Sequence, residues 1–135
     1  MNTIAKLPIN LILLISTFIF IGCNSSGKQS DKIESKNIIV LVKYKTQPDK
    51  GSEAIFELTK LIEKVKQEPH FKKITLHVDS KDNSNILLYE EWEDESYYTS
   101  EHMNTVHLNE FIANSRNFLA GPPEISLWNV ESIFK

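Results

Sequence analysis

Four stretches of the chain alternate between hydrophobic and polar residues with the two-residue period of a β-strand. These stretches are Asn37–Thr46, Phe71–Asp79, Ile86–Trp92 and Glu124–Val130. The first begins with apolar residues at every position, so that Ile38 lies on one face of the strand and Ile39 on the other. Apolar residues on both faces predict a strand that is covered on both sides.

Between these strands, apolar residues recur at the three- and four-residue spacing of an amphipathic helix. Glu53–Gln67 shows this spacing, and Pro69 ends the helix because proline cannot donate a backbone hydrogen bond. Glu95–His102 and Val106–Leu119 show it as well, so two helical stretches follow the third strand. Gly121 and the two prolines after it stop the second of these stretches before the last strand.

The order of these elements predicts the fold class. The sequence βαββαβ is that of the ferredoxin-like α+β fold, a four-stranded antiparallel sheet with helices on one face. The opposite face of such a sheet stays open in a single chain, and apolar side chains of the first strand must lie on it. Because exposed apolar patches of that size mark interaction surfaces, we expect a homodimer formed through the open sheet face.

Composition narrows the possible partners. The chain has 135 residues, with 15 Lys and Arg against 18 Asp and Glu, and a formal net charge of −3. This length fits one globular domain. A weakly acidic chain whose only arginine is Arg116 argues against nucleic acid as a partner, since phosphate contacts need clustered Lys and Arg. The single cysteine, Cys23, excludes an intramolecular disulfide and a Cys-rich metal site.

The first 22 residues have the pattern of a secretory signal peptide. Lys6 precedes the apolar stretch Leu11–Ile21, which falls short of the ~20 residues that a bilayer span needs. Cys23 follows Gly22 directly, which resembles the lipobox of bacterial lipoproteins. That resemblance implies a lipid on Cys23 that anchors the chain to a membrane, and a place in the cell envelope, periplasmic or at the outer membrane. A plain secretory signal or an uncleaved anchor helix are the alternatives.

A polar segment separates this N-terminal region from the predicted domain. Asn24–Lys36 is rich in Ser and Lys, and Ile33 is its only apolar residue. Such a segment cannot bury enough surface to offset its ordering entropy. We therefore predict a lipoprotein signal peptide at 1–22, a flexible tether at 23–36 and a single domain at 37–135.

The third strand and the residues after it resemble a known family. The pattern is a strand ending in Tyr-Glu-x-Trp, followed by His-x4-His and a helix with Phe. Its residues here are Tyr89, Glu90, Trp92, His102, His107 and Phe111. The pattern is similar to that of the antibiotic biosynthesis monooxygenase (ABM) family, quinol monooxygenase-like proteins of the dimeric α+β barrel superfamily. Glu68 and Pro69 also match, whereas His70 stands where the family usually has Gly.

The resemblance implies a cavity between the sheet and the helices. Glu90 and Trp92 are two residues apart on a strand and therefore share a face, which supplies a carboxyl and a flat aromatic ring. His102 is our candidate catalytic base, because the unperturbed pKa of histidine is ~6.5. Trp92 is expected to stack on the ligand and Tyr44 to hydrogen-bond to it.

His107 and Phe111 complete the set of expected substrate contacts. His102 and His107 are five residues apart, which is about 140° around an ideal helix. We therefore expect the two histidines not to share a face, which also argues against a metal site.

These residues suit a cofactor-independent monooxygenase that acts on a small quinol- or phenol-like aromatic. Once deprotonated, such a substrate can reduce dioxygen without a cofactor, and we expect neither a cofactor nor a metal. One alternative is a haem-binding or haem-degrading relative, since such relatives share the ten-residue spacing of Trp92 and His102. They also have an asparagine on the first strand, which Val42–Lys45 lacks.

A second alternative is a non-catalytic lipoprotein that binds a small molecule. In that case each candidate has a structural explanation. Trp92 would be a core aromatic, Glu90 would pair with a lysine, and His102 would cap a helix end.

Overall fold

The computed structural model describes residues 37–134 as a four-stranded antiparallel sheet with helices on one face. The elements in chain order are β1 (Ile38–Lys45), α1 (Gly51–Val65), β2 (Phe71–Val78), β3 (Asn85–Trp92), α2 (Glu95–Thr99), a 3-10 turn (His102–Asn104), α3 (Val106–Ser115) and β4 (Glu124–Asn129). The predicted ferredoxin-like α+β fold is confirmed. The helical region after β3 is divided into α2, the 3-10 turn and α3.

The N-terminal predictions fall on residues that the structure does not describe. The signal peptide at 1–22, the lipid on Cys23 and the tether at 23–36 all lie outside the described residues. Within residues 37–134, no helix combines the length and the apolar character needed to cross a bilayer.

The strand order is β2-β3-β1-β4, so β1 and β3 form the centre of the sheet. The register places Glu90 of β3 between Val40 of β1 and Ile74 of β2. Trp92, at the end of β3, pairs with Ile38 and lies on the same face as Glu90. The candidate carboxyl of Glu90 therefore lies on a central strand that is hydrogen-bonded to a neighbour on both sides.

The hydrophobic core lies between this face of the sheet and the helices. Side chains on β1 and β3 alternate between buried and partly exposed, as the sequence pattern predicts. The fully buried residues of the core include Val40, Leu58, Leu88 and Trp92. Because α1 and α3 pack against each other across this face, their apolar stripes close the core from above.

The other face of the sheet has no cover within the described chain. Ile39, Leu41 and Tyr89 lie there, partly exposed, and Trp128 of β4 is 57% exposed. The sheet is open, with β2 and β4 as its edges. A single chain therefore leaves β1 covered on one side only.

Candidate functional site

A cavity of about 800 Å³ lies between the helix-facing side of the sheet and helices α1 and α3. Most of its wall is apolar, with side chains from both layers, among them Val42, Leu61, Leu88, Leu108 and Phe111. The segment after α3 forms part of the wall through Leu119 and Gly121–Pro123. A cavity of this size and character can enclose a mostly apolar small molecule.

Gln47, Ser115 and Arg116 add polar groups to this wall. Four further polar side chains also line it: Tyr44, Glu90, Tyr98 and His102. All four are buried. In the described part of the chain, no hydrogen-bond partner reaches the two phenolic oxygens, Oε1 of Glu90 or Nε2 of His102. No fully enclosed polar side-chain atom of residues 37–134 lacks a partner, so these unpaired atoms keep some accessible surface, and the residues that carry them line the cavity. A ligand in the cavity is therefore offered several hydrogen bonds.

The Glu90 carboxyl is held by its neighbour two residues along the strand. Trp92 donates its Nε1–H to Oε2 of Glu90 at 2.9 Å. Burial raises the pKa of Glu90 from its ordinary value of 4.5 to about 7, even though the Trp92 hydrogen bond favours the charged form. The charge of Glu68 adds to the rise. Glu90 can therefore donate or accept a proton near neutral pH.

The two tyrosines of the cavity are neutral hydrogen-bond donors. Burial, and then the nearby charge of Glu90, raises the pKa of Tyr44 well above its usual value. The same two causes raise the pKa of Tyr98. Phe111 contacts the edge of the Tyr44 ring, with the ring centroids 6.2 Å apart, and so fixes its position. Both hydroxyls can therefore bind a ligand oxygen without ionising.

His102 is bound on one side by a buried carboxylate. Its Nδ1 lies 2.9 Å from Oε2 of Glu68, a residue just beyond the end of α1. Burial lowers the pKa of His102, and the hydrogen bond to Glu68 opposes that effect. The imidazole also stacks on Tyr98, with ring centroids 4.9 Å apart, and contacts Trp92 at 4.7 Å. These contacts hold the ring in one orientation.

Glu68 also binds His107 and Tyr97. His107 Nε2 lies 2.5 Å from Oε1 of Glu68, and the Tyr97 hydroxyl donates to Oε2 at 3.1 Å. The prediction that the two histidines would not share a face assumed a continuous helix and is wrong in this respect. A 3-10 turn begins at His102 and the extended backbone of Thr105 starts a new helix, so both rings reach the same carboxylate.

The structure brings together four of the six predicted site residues. Tyr44, Glu90, His102 and Phe111 line the cavity, whereas Trp92 and His107 do not. The expectation that Trp92 stacks on a ligand does not fit this geometry, because its indole is fully buried among other rings. Trp92 instead donates its indole hydrogen bond to the Glu90 carboxyl. His107 likewise contacts Glu68 rather than the cavity.

Two residues of the site were not among the predicted site residues. Tyr98 has the pattern of a helix packing residue, and nothing in its spacing indicates that its hydroxyl would border a cavity. In the sequence, Glu68 stands out only through the Glu68–Pro69 pair just after α1, which matches the family pattern. Its role depends on contacts with residues 29, 34 and 39 positions away, and these the sequence does not show.

Among residues 37–134, no group of three or more His, Asp and Glu side chains is arranged to hold a metal ion. The Glu68 cluster has the residue types for one. However, its imidazole nitrogens bond directly to the carboxylate oxygens.

Comparison with known proteins fits this geometry. A family model described as antibiotic biosynthesis monooxygenase matches residues 37–114, more than half of the chain. The chain belongs to this family. The match covers β1 to α3 and so includes Glu68, Glu90, His102 and His107.

Individual ABM proteins and other relatives support the same fold. A putative antibiotic biosynthesis monooxygenase from Nitrosomonas europaea superposes with a TM-score of 0.66 at 15% identity, covering 72% of this chain and 92% of that one. A conserved protein from Methanosarcina mazei Go1 gives a TM-score of 0.63 at 22% identity, covering 69% and 91%. An uncharacterized protein of Synechocystis sp. is 28% identical over 124 residues, which is 92% of this chain and 84% of that protein.

Proposed function

We propose that this ABM protein is a cofactor-independent monooxygenase that acts on a quinol- or phenol-like aromatic bound in the cavity. The observation that supports this most is the unpartnered Nε2 of His102, a buried residue that lines a mostly apolar cavity. In a cofactor-independent monooxygenase the substrate itself reduces dioxygen. The protein must then enclose the substrate ring, supply a base for its hydroxyl and supply hydrogen-bond donors for the resulting anion. In this proposal His102 is the base and the Tyr44 and Tyr98 hydroxyls are the donors, and all three residues line the cavity.

The reaction begins with proton removal. The substrate hydroxyl gives its proton to Nε2 of His102, and the Tyr44 and Tyr98 hydroxyls donate to the phenolate oxygen. The electron-rich anion then reduces dioxygen, and one oxygen atom forms a bond to ring carbon. For a quinol, the products are a hydroxyquinone and one water, so that both electron pairs consumed by dioxygen come from the substrate.

The size of the cavity indicates which aromatic compounds fit. At about 800 Å³ the space exceeds a single phenol ring, and most of its wall is apolar. We therefore favour a substrate that has its hydroxyl at one end and a large apolar body, such as fused rings or an alkyl substituent.

The remaining expectations enter as part of the proposal. We propose that a lipid on Cys23 anchors the chain in the cell envelope after removal of residues 1–22, that 23–36 is a tether and that 37–135 is the functional domain. We also propose a homodimer through the open sheet face, because Ile39, Leu41 and Trp128 leave an apolar surface there.

The test is oxygen uptake by the purified protein with a quinol and with an anthrone as substrates. We expect uptake that depends on the protein and falls by about 10²- to 10⁴-fold in His102→Ala, as for other general bases. His77→Ala is the matched control, because His77 is exposed on β2 and lies outside the cavity. Uptake that is equal in His102→Ala and wild type would remove His102 as the base.

The same preparation separates the alternatives. A Soret band on titration with haemin would indicate a haem-binding relative. Binding of the quinol without oxygen uptake would indicate a non-catalytic binding protein.

A further inference from the structure

The Glu68 carboxylate is buried, with 5% of its side chain exposed, and no Lys or Arg contacts it within residues 37–134. Its two oxygens instead accept hydrogen bonds from three groups on three separate segments. These are the Tyr97 hydroxyl on α2, the His102 ring on the 3-10 turn and the His107 ring on α3. A buried carboxylate is costly unless its partners stabilise its charge, so this arrangement needs an explanation.

We propose that Glu68 is the positioning residue of the site: it fixes the proton of His102 on Nδ1, so that Nε2 faces the cavity as a base, and it divides its charge between His102 and His107. The inference rests on the proposed role of His102 as the base. It adds two residues to that site, neither of which lines the cavity.

The tautomer follows from the chemistry of the acceptor. An ionised carboxylate has no hydrogen to donate, so the ring nitrogen 2.9 Å from Glu68 Oε2 must carry one. Nδ1 of His102 is therefore protonated, and in the neutral ring the lone pair is on Nε2. Free histidine favours the opposite tautomer, so Glu68 holds His102 in the form that can accept a proton from the cavity.

The charge of Glu68 acts on the protonated form. When His102 takes a proton, the imidazolium is paired at once with the carboxylate, which makes proton removal from the substrate more favourable. His107 is the second donor to the same carboxylate, and its side chain is 19% exposed, compared with 7% for His102. The charge of His107 lowers the pKa of His102 and so opposes the effect of Glu68 on it.

The other titratable groups near Glu68 do not compete in this way. Tyr97 donates to Glu68 as a neutral phenol, because burial raises the pKa of Tyr97 to about 12. Glu90, on β3, has the same sign of charge as Glu68 when it is ionised, so each carboxylate disfavours ionisation of the other. Glu90 therefore does not compete with the histidines for the charge of Glu68. Of the three groups that donate to Glu68, only the two histidines therefore compete for its charge.

The decisive experiment follows the imidazole ¹⁵N signals of His102 by NMR through a pH titration of the full chain. In wild type, we expect the neutral Nδ1–H tautomer of His102. Glu68→Gln should lower the pKa of His102 by about one unit, since the stabilising charge is lost. His107→Gln keeps a donor to Glu68 but removes the competing charge, and it should raise the pKa of His102.

The two variants thus shift the same titration in opposite directions, which a purely structural role for Glu68 does not predict. Glu63→Gln, on the adjacent helix α1, is the matched control, because its salt bridge to Lys66 is exposed, and it should shift nothing. An Nε2–H tautomer of His102 in wild type would overturn the proposal. An unchanged titration in His107→Gln would overturn the sharing of charge, and both measurements remain available if Glu68→Gln fails to fold.

Activity then distinguishes this inference from the proposed function. With a quinol substrate, Glu68→Gln should reduce kcat/KM by about tenfold or more and shift the acidic limb of its pH profile downward. If the NMR shifts occur and no variant consumes oxygen, Glu68 positions His102 but the oxygenase proposal fails.

Discussion

At the scale of single residues, Glu90 shows how one hydrogen bond keeps an ionisable group inside an apolar wall. The Trp92 indole satisfies one oxygen of the carboxyl, and the other is left for a ligand. The cost of this arrangement is that burial disfavours the charged form of Glu90. Because the pKa is raised in the folded state, the native protein binds a proton more tightly than the unfolded chain does between pH 4.5 and about 7.

We expect the contribution of Glu90 to stability to fall as the pH rises through this window, whereas His102, whose pKa is lowered, contributes in the opposite direction. Glu90 is protonated in both states below pH 4.5, and above about 7 the native state must hold it ionised, which costs up to about 3 kcal/mol. Glu90→Gln keeps the acceptor for Trp92 and should remove this loss. Urea unfolding at pH 5 and pH 8 measures it, with Glu91→Gln on the opposite face as control. If the free energy of unfolding of Glu90→Gln declines with pH as much as that of wild type, burial of Glu90 is not the cause of the decline.

His70 shows backbone strain between α1 and β2. Its φ is 64°, in the left-handed region, and its carbonyl accepts the backbone N–H of Glu93 at 2.9 Å. A residue with a Cβ pays for this conformation by roughly 1–2 kcal/mol relative to glycine.

We therefore expect His70→Gly to be more stable than His70→Ala by about 1 kcal/mol. Both substitutions remove the ring that contacts Tyr97, so that their difference isolates the backbone effect. Thermal unfolding measures it. At His77, in the regular strand β2, the same pair should show the reverse order, because glycine weakens a strand. If Ala is favoured at position 70 as well, the left-handed backbone is not what constrains it.

At the scale of secondary structure, the short helix α2 is set by a side-chain cap. The Asp94 carboxylate accepts the backbone N–H of Tyr97 at 3.0 Å, which satisfies one of the free donors at the start of the helix. This cap orients the two residues that reach the site from α2, Tyr97 toward Glu68 and Tyr98 toward the cavity.

Asp94→Ala should destabilise the protein by about 1 kcal/mol, whereas Asp94→Ser should recover most of that loss. Chemical denaturation measures both. We also expect Asp94→Ala to broaden the NMR signals of the Tyr97 and His102 rings, since the short helix that positions Tyr97 is weakened. Equal stability of the alanine and serine variants would show that the cap contributes nothing.

The elements also show how far sequence patterns predict this molecule. Period-two and helical patterns predict all four strands and the ferredoxin-like order, because each element buries one face against the same core. The pattern predicts two helical stretches, Glu95–His102 and Val106–Leu119, and the structure confirms a break between them at Thr105. The pattern does not indicate the 3-10 turn at His102–Asn104 or how the break orients the two histidines. That single break decides whether His102 and His107 meet.

For the same reason, the candidate site is predicted only in part. Neighbours on one strand, such as Glu90 and Trp92, have a fixed relative orientation, so their shared face could be inferred. Glu68 and Tyr98 enter the site through packing between distant segments, which local patterns do not encode. The depth at which Trp92 is buried likewise depends on the rings of α2 and the 3-10 turn above it.

At the scale of the whole molecule, the open face of the sheet is the surface through which we propose that two copies of the chain pair. The cavity and the helices occupy the other side, so this face is free to meet a second copy without obstructing the site. We expect a homodimer at micromolar concentration, with twice the chain mass of 15.5 kDa.

Leu41→Glu places a charge in the centre of this face and should convert the dimer to a monomer, measured by sedimentation equilibrium. Phe56→Glu is the control, because Phe56 is 62% exposed on α1, away from the open sheet face, and should leave the dimer intact. A wild-type protein that sediments as a monomer would contradict the proposed interface.

The most direct test of the oxygenase account is to supply ¹⁸O₂ and analyse the quinol product by mass spectrometry. The account predicts one ¹⁸O atom in each hydroxyquinone, the second in water, and loss of the labelled product in His102→Ala but not in His77→Ala. A product that has no ¹⁸O, or that is labelled equally when His102 is absent, would contradict it.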